Sequence, residues 1–322
     1  MPQPNLFIVG EPRSGTTALH GYLAQHPQAF MSRLKEPHYF CADLRRECDA
    51  YHGAATYFPF RTLTDYEGLF ADAGDAAVVG ESSVYHLVST EAAANIAAYA
   101  PDARVVAMFR EPVAYLHSLY TRLRGMGDED ASSLTAAIDL EPERRAGRKV
   151  PRDVRVPSMV FYDEAVRYAE HLGRFTARFP PAQIKVILFE DFRDDTDAAW
   201  AEVCDFLGLD ACRLPAATEV NDSSWEIRSR RLNRLHRALV GRAARWETRP
   251  GLAATASRKL IRRGASWVER LNARPAPRRP LPEAEREALR ARFRDRVEAL
   301  GDALERDLLR RWGYPARSAG EH

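Results

Sequence analysis

The chain divides into blocks of apolar and polar positions whose lengths and periods each suit one structural element. An unbroken apolar run, Leu6-Phe7-Ile8-Val9, enters a turn bounded by Gly10 and Gly15 and then an apolar-periodic stretch that predicts a helix over about 15–26. A run with no polar interruption suits a strand buried on both faces of a parallel sheet. A strand near 78–80 and a helix over 90–100 follow. Ala103 to Phe109 reads as another core strand, entered by a Pro101-Asp102 turn, and Pro112 suits the first position of a helix over 112–125. From Gly125 to Pro157 charge, glycine and proline break the pattern around a short helix at Leu134–Leu140. A helix over 162–179 stops at Pro180-Pro181; a strand over 183–189 and a helix over 196–207, closed by Gly208, come next. Ala273 to Pro280 is a linker-like break, and Leu289, Leu300, Leu304 and Leu308 mark a last helix from Pro282 to Trp312. Strands alternating with helices predict an α/β fold with a central parallel sheet flanked by helices in three layers. The 45% apolar content is ample for one substantial core, so residues 1–322 are read as one domain.

The first block carries the chemistry. A buried strand, a tight turn of small residues and a helix N-terminus present free backbone N–H groups and about half a positive charge to an anion. The nucleoside-triphosphatase pattern G-x-x-x-x-G-K-[ST] is met by Gly10, Gly15 and Thr17, but Thr16 stands where the lysine belongs and the cation sits in the loop as Arg13. A kinase without that lysine lacks its main handle on the transferred phosphoryl group. The alternative of a plain strand–helix turn is weakened by the Arg13-Ser14-Gly15-Thr16-Thr17 core.

This segment resembles the 5′-phosphosulfate loop of sulfotransferases that use 3′-phosphoadenosine 5′-phosphosulfate (PAPS), and the fold implied is of the P-loop type. The resemblance implies that Arg13, Ser14, Gly15, Thr16 and Thr17 hold the 5′ side of that co-substrate. It also calls for a second site, for the 3′-phosphate, at a later strand end. Phe109-Arg110-Glu111-Pro112 through Ser118 is similar to that motif, which assigns Arg110 and Ser118 to the 3′-phosphate. Strand carboxyl ends are where open α/β sheets bind ligands. Lys35-Glu36-Pro37-His38-Tyr39-Phe40 resembles the carbohydrate sulfotransferase branch, which implies Glu36 as general base and His38 as an orienting or proton-sharing group. The competing reading pairs Glu36 with Lys35 or Arg33 on the surface. Arg13, which does not give up its proton, is expected to stabilise the departing phosphate oxygen.

Two departures from the family stand out. Ser82 occupies the place after Glu81 where some relatives carry a lysine, so a second cation must come from elsewhere. Phe189 replaces a tyrosine placed against adenine, keeping the stacking face and losing the hydroxyl. The family implies no essential metal, and the nine histidines form no H-x-x-x-H or H-E-x-x-H pair.

Charge changes the picture in one place. The net charge of +2 hides a segment, 228–279, with 16 basic and 2 acidic residues. It reads as a solvated helical surface, as a lid whose residues 221–230, Arg228 among them, reach the 3′-phosphate, or as a weak contact with an anionic membrane. No recognised fold or aromatic platform points to nucleic acid. Residues of about 125–157 are expected on the acceptor side, and those of about 228–282 form the basic segment. Cys41, Cys48, Cys204 and Cys212 make no C-x-x-C, and no charged leader precedes the first strand, so reduced thiols and a soluble, cytoplasmic, bacterial protein are expected. The expected activity is transfer of a sulfuryl group from PAPS to a hydroxyl of a sugar, glycolipid or natural product. The alternatives are a P-loop small-molecule kinase and a nucleotide-binding module without catalysis.

Overall fold

The computed structural model describes residues 3–55, 57–214, 225–245, 264, 266–275 and 280–315. Five parallel strands form the central sheet: β1 (Leu6–Gly10), β2 (Ala29–Met31), β3 (Val78–Ser82), β4 (Arg104–Phe109) and β5 (Ile184–Leu188), in the order β2-β3-β1-β4-β5. β1 is apolar throughout because it is the middle strand with both faces covered. Its side chains alternate between two cores: Phe7 and Val9 join Val105, Ala107 and Phe109 on one face, while Leu6 and Ile8 join Val106 and Met108 on the other. From β1 the chain runs first to the β2–β3 side and later to β4 on the other side. The carboxyl ends of β1 and β4 therefore flank a topological switch point, where a crevice opens between diverging loops.

Most of the helices match the periodic blocks with adjusted ends, while one, Ala42–His52, was not expected. α1 spans Thr16–Leu23, α2 Ala42–His52, α3 Ala92–Tyr99 and α4 Pro112–Met126; α5 spans Tyr168–Thr176, α6 Thr196–Leu207, α7 Arg230–Arg245 and α8 Glu283–Leu304. α4 starts on Pro112, its first turn capped by the Glu111 carboxylate accepting from Ala114 N–H, and it ends at Gly127 in the left-handed region. The helix expected over 162–179 is broken: a short turn, Tyr162–Ala165, precedes α5. Strand 183–189 ends one residue early, since Phe189 already begins the short helix Phe189–Asp194. The last helix stops at Leu304 because Glu305 adopts a left-handed φ of 52°, and Leu308–Arg311 makes a separate turn. The expected linker at 273–280 is instead partly a strand, Ala273–Pro275, paired antiparallel with Trp225–Ile227; residues 276–279 lie outside the described set.

The C-terminal turn braces the strand ends. Trp312 Nε1 donates to Glu190 Oε2 (2.9 Å) and Tyr314 OH to Glu111 Oε1 (2.8 Å), while Glu111 N–H donates to Glu190 Oε1 (3.2 Å). The segment after α4 is tied in as firmly. Arg144 and Glu129, both with fully buried side chains, form a bidentate pair at 2.6 and 2.8 Å, to which Tyr162 OH adds a bond of 2.8 Å. α7 packs on this segment through its basic side chains: Arg234 bonds Asp153 (2.8 Å), Arg237 bonds Asp128 (2.5 Å), and Arg230 donates to Glu129 O (3.2 Å). These three arginines hydrogen-bond the body, with Arg230 and Arg234 still exposed. None of the described helices is long and apolar enough to cross a membrane, and none of the four cysteines is in a disulfide.

Removing one partner of the Arg144–Glu129 pair strands a charge in the interior. Arg144→Ala is expected to cost about 3–5 kcal/mol in chemical denaturation; a loss near zero would show that solvent reaches the pair.

Candidate active site

The loop after β1 lies tight against β4. Glu11 N–H donates to Met108 O at 3.0 Å, and a Cβ on Gly10 would sit 2.5 Å from that same oxygen, so only glycine fits there. The loop then turns through two left-handed residues, Arg13 (φ 74°) and Gly15 (φ 94°). Ser14 Oγ donates to Glu11 O at 2.5 Å and fixes the turn. Gly15 is the N-cap of α1 and supplies no side-chain acceptor, which leaves the first-turn N–H groups of Thr16 and Thr17 without a side-chain cap. Main-chain N–H groups placed in this way are able to hold an anion, and this turn is the candidate anion cradle.

Residues 97 and 105 positions further along the chain converge on the cradle. Arg110, directly after β4, donates from Nη1 to Arg13 O (3.1 Å), and Arg13 Nε donates to Ser118 Oγ on α4 (3.3 Å). Phe189 lies against Gly15, and the Arg110 guanidinium sits 4.7 Å from its ring centre, so one face of the ring is covered by a cation. Arg228, exposed, is held by its main-chain N–H to Asn272 O (2.7 Å). No hydrogen bond or ion pair among the described residues joins Arg228 to Arg110 or Ser118.

The segment after β2 brings in the third group. Lys35 Nζ lies 3.4 Å from Thr16 Oγ1 and 2.5 Å from Glu36 Oε1. A cation thus reaches the very residue that replaced the loop lysine, from another part of the chain. Its signal in the sequence was its place beside Glu36, read only as a surface ion-pair partner. Arg33, the other candidate partner, pairs with Asp72 instead. Glu36 and His38 both take left-handed backbone conformations, φ 65° and 53°, which side chains adopt at a cost. Four bonds hold them: Glu36 N–H to Ser82 O (2.9 Å), Val84 N–H to Glu36 Oε2 (2.9 Å), His38 N–H to Ser83 Oγ (3.1 Å) and Ser83 Oγ to Glu81 Oε2 (2.6 Å). Ser83 and Glu81 are positioning residues that sequence reasoning missed. His38 stacks on Tyr85, ring centres 4.4 Å apart, with Nε2 at 3.4 Å from Glu36 Oε2.

Burial sets the protonation states around this group. Burial first, then the Lys35 charge, push the His38 pKa down to about 3 and that of His20 to about 4, so both rings are neutral at pH 7. His20 Nδ1 lies 2.9 Å from Ser82 Oγ. Burial raises the carboxyls of Glu81 and Glu11 to about 8 each, countered in part by the hydroxyls of Ser83 and Tyr66 at Glu81 and by Tyr115 at Glu11. The site gathers the basic side chains of Arg13, Arg110 and Lys35 around the turn, with Glu36 beside them. Such a set can bind a multiply anionic ligand and take a proton next to it.

The profile of the sulfotransferase family matches residues 4–212. The chain is 26% identical over 219 residues to the human bifunctional heparan sulfate N-deacetylase/N-sulfotransferase 3, covering 64% of this chain and 22% of that protein. It is 27% identical over 210 residues to mouse heparan sulfate glucosamine 3-O-sulfotransferase 6, covering 64% and 52%. The chain thus matches about a fifth of the length of the first of these relatives and about half of the second. A sulfotransferase from Alicyclobacillus acidocaldarius shares the fold, with a TM-score of 0.67 at 23% identity over 97% of this chain and 100% of its own.

The raised Glu81 carboxyl has a consequence for stability. Its folded pKa, about 8, exceeds the ordinary 4.5, so the folded state holds the proton more tightly. The stabilisation this brings is complete below about pH 4.5 and is lost as pH rises through 8. Glu81→Gln is expected to remove up to about 1.4 kcal/mol per pH unit of that decline. Denaturation series of both proteins between these limits would show it; parallel curves would mean that Glu81 is ionised in the folded protein.

Proposed function

The chain belongs to the sulfotransferase family, and on that premise we propose that it transfers a sulfuryl group from PAPS to a hydroxyl of a carbohydrate, lipid or small-molecule acceptor. The observation that carries this reading is the convergence of Arg13, Ser118 and Arg110 at the cradle, with Arg13 Nε 3.3 Å from Ser118 Oγ and Arg110 Nη1 3.1 Å from Arg13 O. A nucleotide with phosphates at both 5′ and 3′ positions needs two cationic sites side by side, and this juxtaposition supports such a pair. The N–H groups of Thr16 and Thr17, left without a side-chain cap, suit the 5′ side, and Arg110 with Ser118 suits the 3′ side, where Arg228 would close over it. Phe189 offers the adenine an aromatic ring beside Gly15.

The bound nucleotide supplies the activated sulfuryl group; the chain supplies charge and a base. Glu36 takes the proton of the acceptor hydroxyl as its oxygen forms the bond to sulfur, and the bond from sulfur to the 5′-phosphate oxygen breaks. Arg13, the loop N–H groups and Lys35 stabilise the negative charge that grows on that departing oxygen. General-base assistance of this kind is worth about 10²–10⁴-fold. His38, neutral, orients Glu36 and does not carry charge into the step. The names of the relatives support carbohydrate as the acceptor class at a coarse level. A P-loop kinase is disfavoured because Lys35, paired with Glu36, takes the place of a lysine on the loop itself.

Calorimetric titration with adenosine 3′,5′-bisphosphate, ADP and ATP tests the donor. Selective binding of the 3′-phosphorylated nucleotide is expected, and a preference for ATP with Mg²⁺ would restore the kinase. Glu36→Gln should lower sulfuryl transfer about 10²–10⁴-fold while nucleotide affinity survives; full turnover would remove Glu36 as the base. Arg110→Ala should weaken the 3′-phosphorylated nucleotide by about tenfold or more and spare ADP, and equal losses for both would sink the 3′-phosphate assignment.

A further inference from the structure

The side of α4 that faces the cradle continues past Ser118. Leu116, Leu119, Tyr120 and Leu123 are buried in the core, which leaves Ser118 and Arg122, four residues apart, together on the open side of the helix. Four residues advance a helix by about 6 Å, so Arg122 stands one turn beyond the hydroxyl that accepts from Arg13 Nε. Arg122 is exposed and makes no hydrogen bond or ion pair among the described residues. The other cations of the site each have an acceptor: Arg13 has Ser118 Oγ, Arg110 has Arg13 O, and Lys35 has Glu36 Oε1.

The neighbours of Arg122 are those of the proposed chemistry. Partial burial, then the charges of Arg155 and Arg13, lower its guanidinium pKa, while Tyr85 and Glu36 raise it. Tyr85, half-buried, stacks on His38 with ring centres 4.4 Å apart, and its hydroxyl has no hydrogen-bond partner among the described residues. Arg155 is held from the segment after α4, its Nε 2.7 Å from Asp128 Oδ2. Asp128, nearly fully buried, also accepts from Arg237, so one carboxylate serves two guanidiniums and the group keeps a positive charge.

We infer that Arg122 forms an anion subsite on the acceptor side of Glu36, and that the acceptor carries a carboxylate or sulfate beside its reacting hydroxyl. The inference rests on the sulfuryl-transfer reading and narrows its acceptor to an acidic sugar or hydroxy acid. The donor's anionic groups are already matched by Arg13, Lys35, Arg110 and the N–H groups of the turn. A neutral acceptor would leave Arg122 without a countercharge, with Arg13 and Arg155 both repelling it. The planar fork of arginine meets a carboxylate or sulfate through two parallel bonds. Arg155, fixed on Asp128, adds to the positive potential without touching the ligand. The open Tyr85 hydroxyl is a further partner for a polar acceptor.

The test compares two probes on the full chain saturated with adenosine 3′,5′-bisphosphate. They are 4-nitrophenyl β-glucuronide and 4-nitrophenyl β-glucoside, which differ only in a carboxylate in place of a hydroxymethyl group. Calorimetry is expected to show the glucuronide binding about tenfold or more tighter, a preference that salt weakens. Arg122→Ala should remove the preference and leave both the bisphosphate affinity and the unfolding midpoint unchanged. Arg122→Lys, which keeps the charge and loses the fork, should retain part of the preference. Equal binding of the two sugars, or binding of neither, overturns the inference. So does a loss of bisphosphate affinity in Arg122→Ala, because Arg122 would then serve the donor. Failure of the unsubstituted protein to bind the bisphosphate would count against the sulfuryl-transfer reading instead, and the sugar comparison would then be decided on the free protein.

Discussion

The pairing of β1 with β4 in one register is the constraint on which the anion cradle rests. Gly10 lies opposite Met108, and the Met108 carbonyl accepts from Glu11 just beyond the strand. Because Gly10 has no Cβ, the chain can pass over Met108 closely enough for Arg13 O to reach the Arg110 guanidinium. A shift of one residue would send Phe7 and Val9 into the opposite core and carry Arg13 away from Ser118. Apolar packing on both faces of β1 is therefore what fixes the distance between two cations that would otherwise repel. The repulsion is tolerated because Arg13 donates to a hydroxyl and Arg110 to a carbonyl, so each guanidinium has an acceptor of its own.

The turn at Glu36–His38 shows a second way of holding a reactive group. Two successive left-handed non-glycine residues separated by Pro37 cost about 1–2 kcal/mol each. That cost is offset by bonds to the end of β3 and the residues just after it: Ser82 O, Ser83 Oγ and Val84 N–H. Glu81, buried beneath them and bonded by Tyr66 and Ser83, forms the floor of this arrangement. A neutral Glu81 matters here, because an ionised carboxylate in the same place would carry an uncompensated charge beneath the Lys35–Glu36 pair.

Most of the sheet could be read from apolar runs, because strands buried on both faces leave an unbroken hydrophobic signature. β1, β4 and β5 were legible for that reason, as was α4, whose start is fixed by Pro112. β2 and α2 were not: Ala29–Met31 is only three residues long, and α2 carries seven polar or charged side chains among its eleven residues. The break in the last helix was equally hidden, since nothing at Glu305 announces a left-handed residue. In the site, Arg13, Arg110 and Ser118 were legible as a set because each motif lies at the end of a recognisable strand or on the helix that follows one. Lys35 as a partner of Thr16, and Ser83 with Glu81 as supports, are contacts between distant segments, and no local pattern encodes them. That α7 leaves Leu232 and Leu235 exposed was hidden for the opposite reason: periodicity reveals two faces but not which one meets the body, and here Asp128 and Asp153 invert the usual choice.

Moving the cation from the loop to Lys35 changes what the cradle can be coupled to. A lysine on α1 would be fixed to the phosphate-facing helix and independent of the base. Lys35 instead shares its backbone with Glu36 and bonds Glu36 Oε1 while lying 3.4 Å from Thr16 Oγ1. On the proposed assignment, charge on the donor side and the carboxylate on the acceptor side are two ends of one dipeptide. In the proposed reaction an anion entering the cradle would compete with Glu36 for the Lys35 ammonium, and to the extent that it won, Glu36 Oε1 would be released toward the acceptor. His38 and His20, kept neutral by burial and by the same ammonium, add no charge to this exchange. In the proposed reaction, donor charge and acceptor base would then be coupled through a single side chain shared between them.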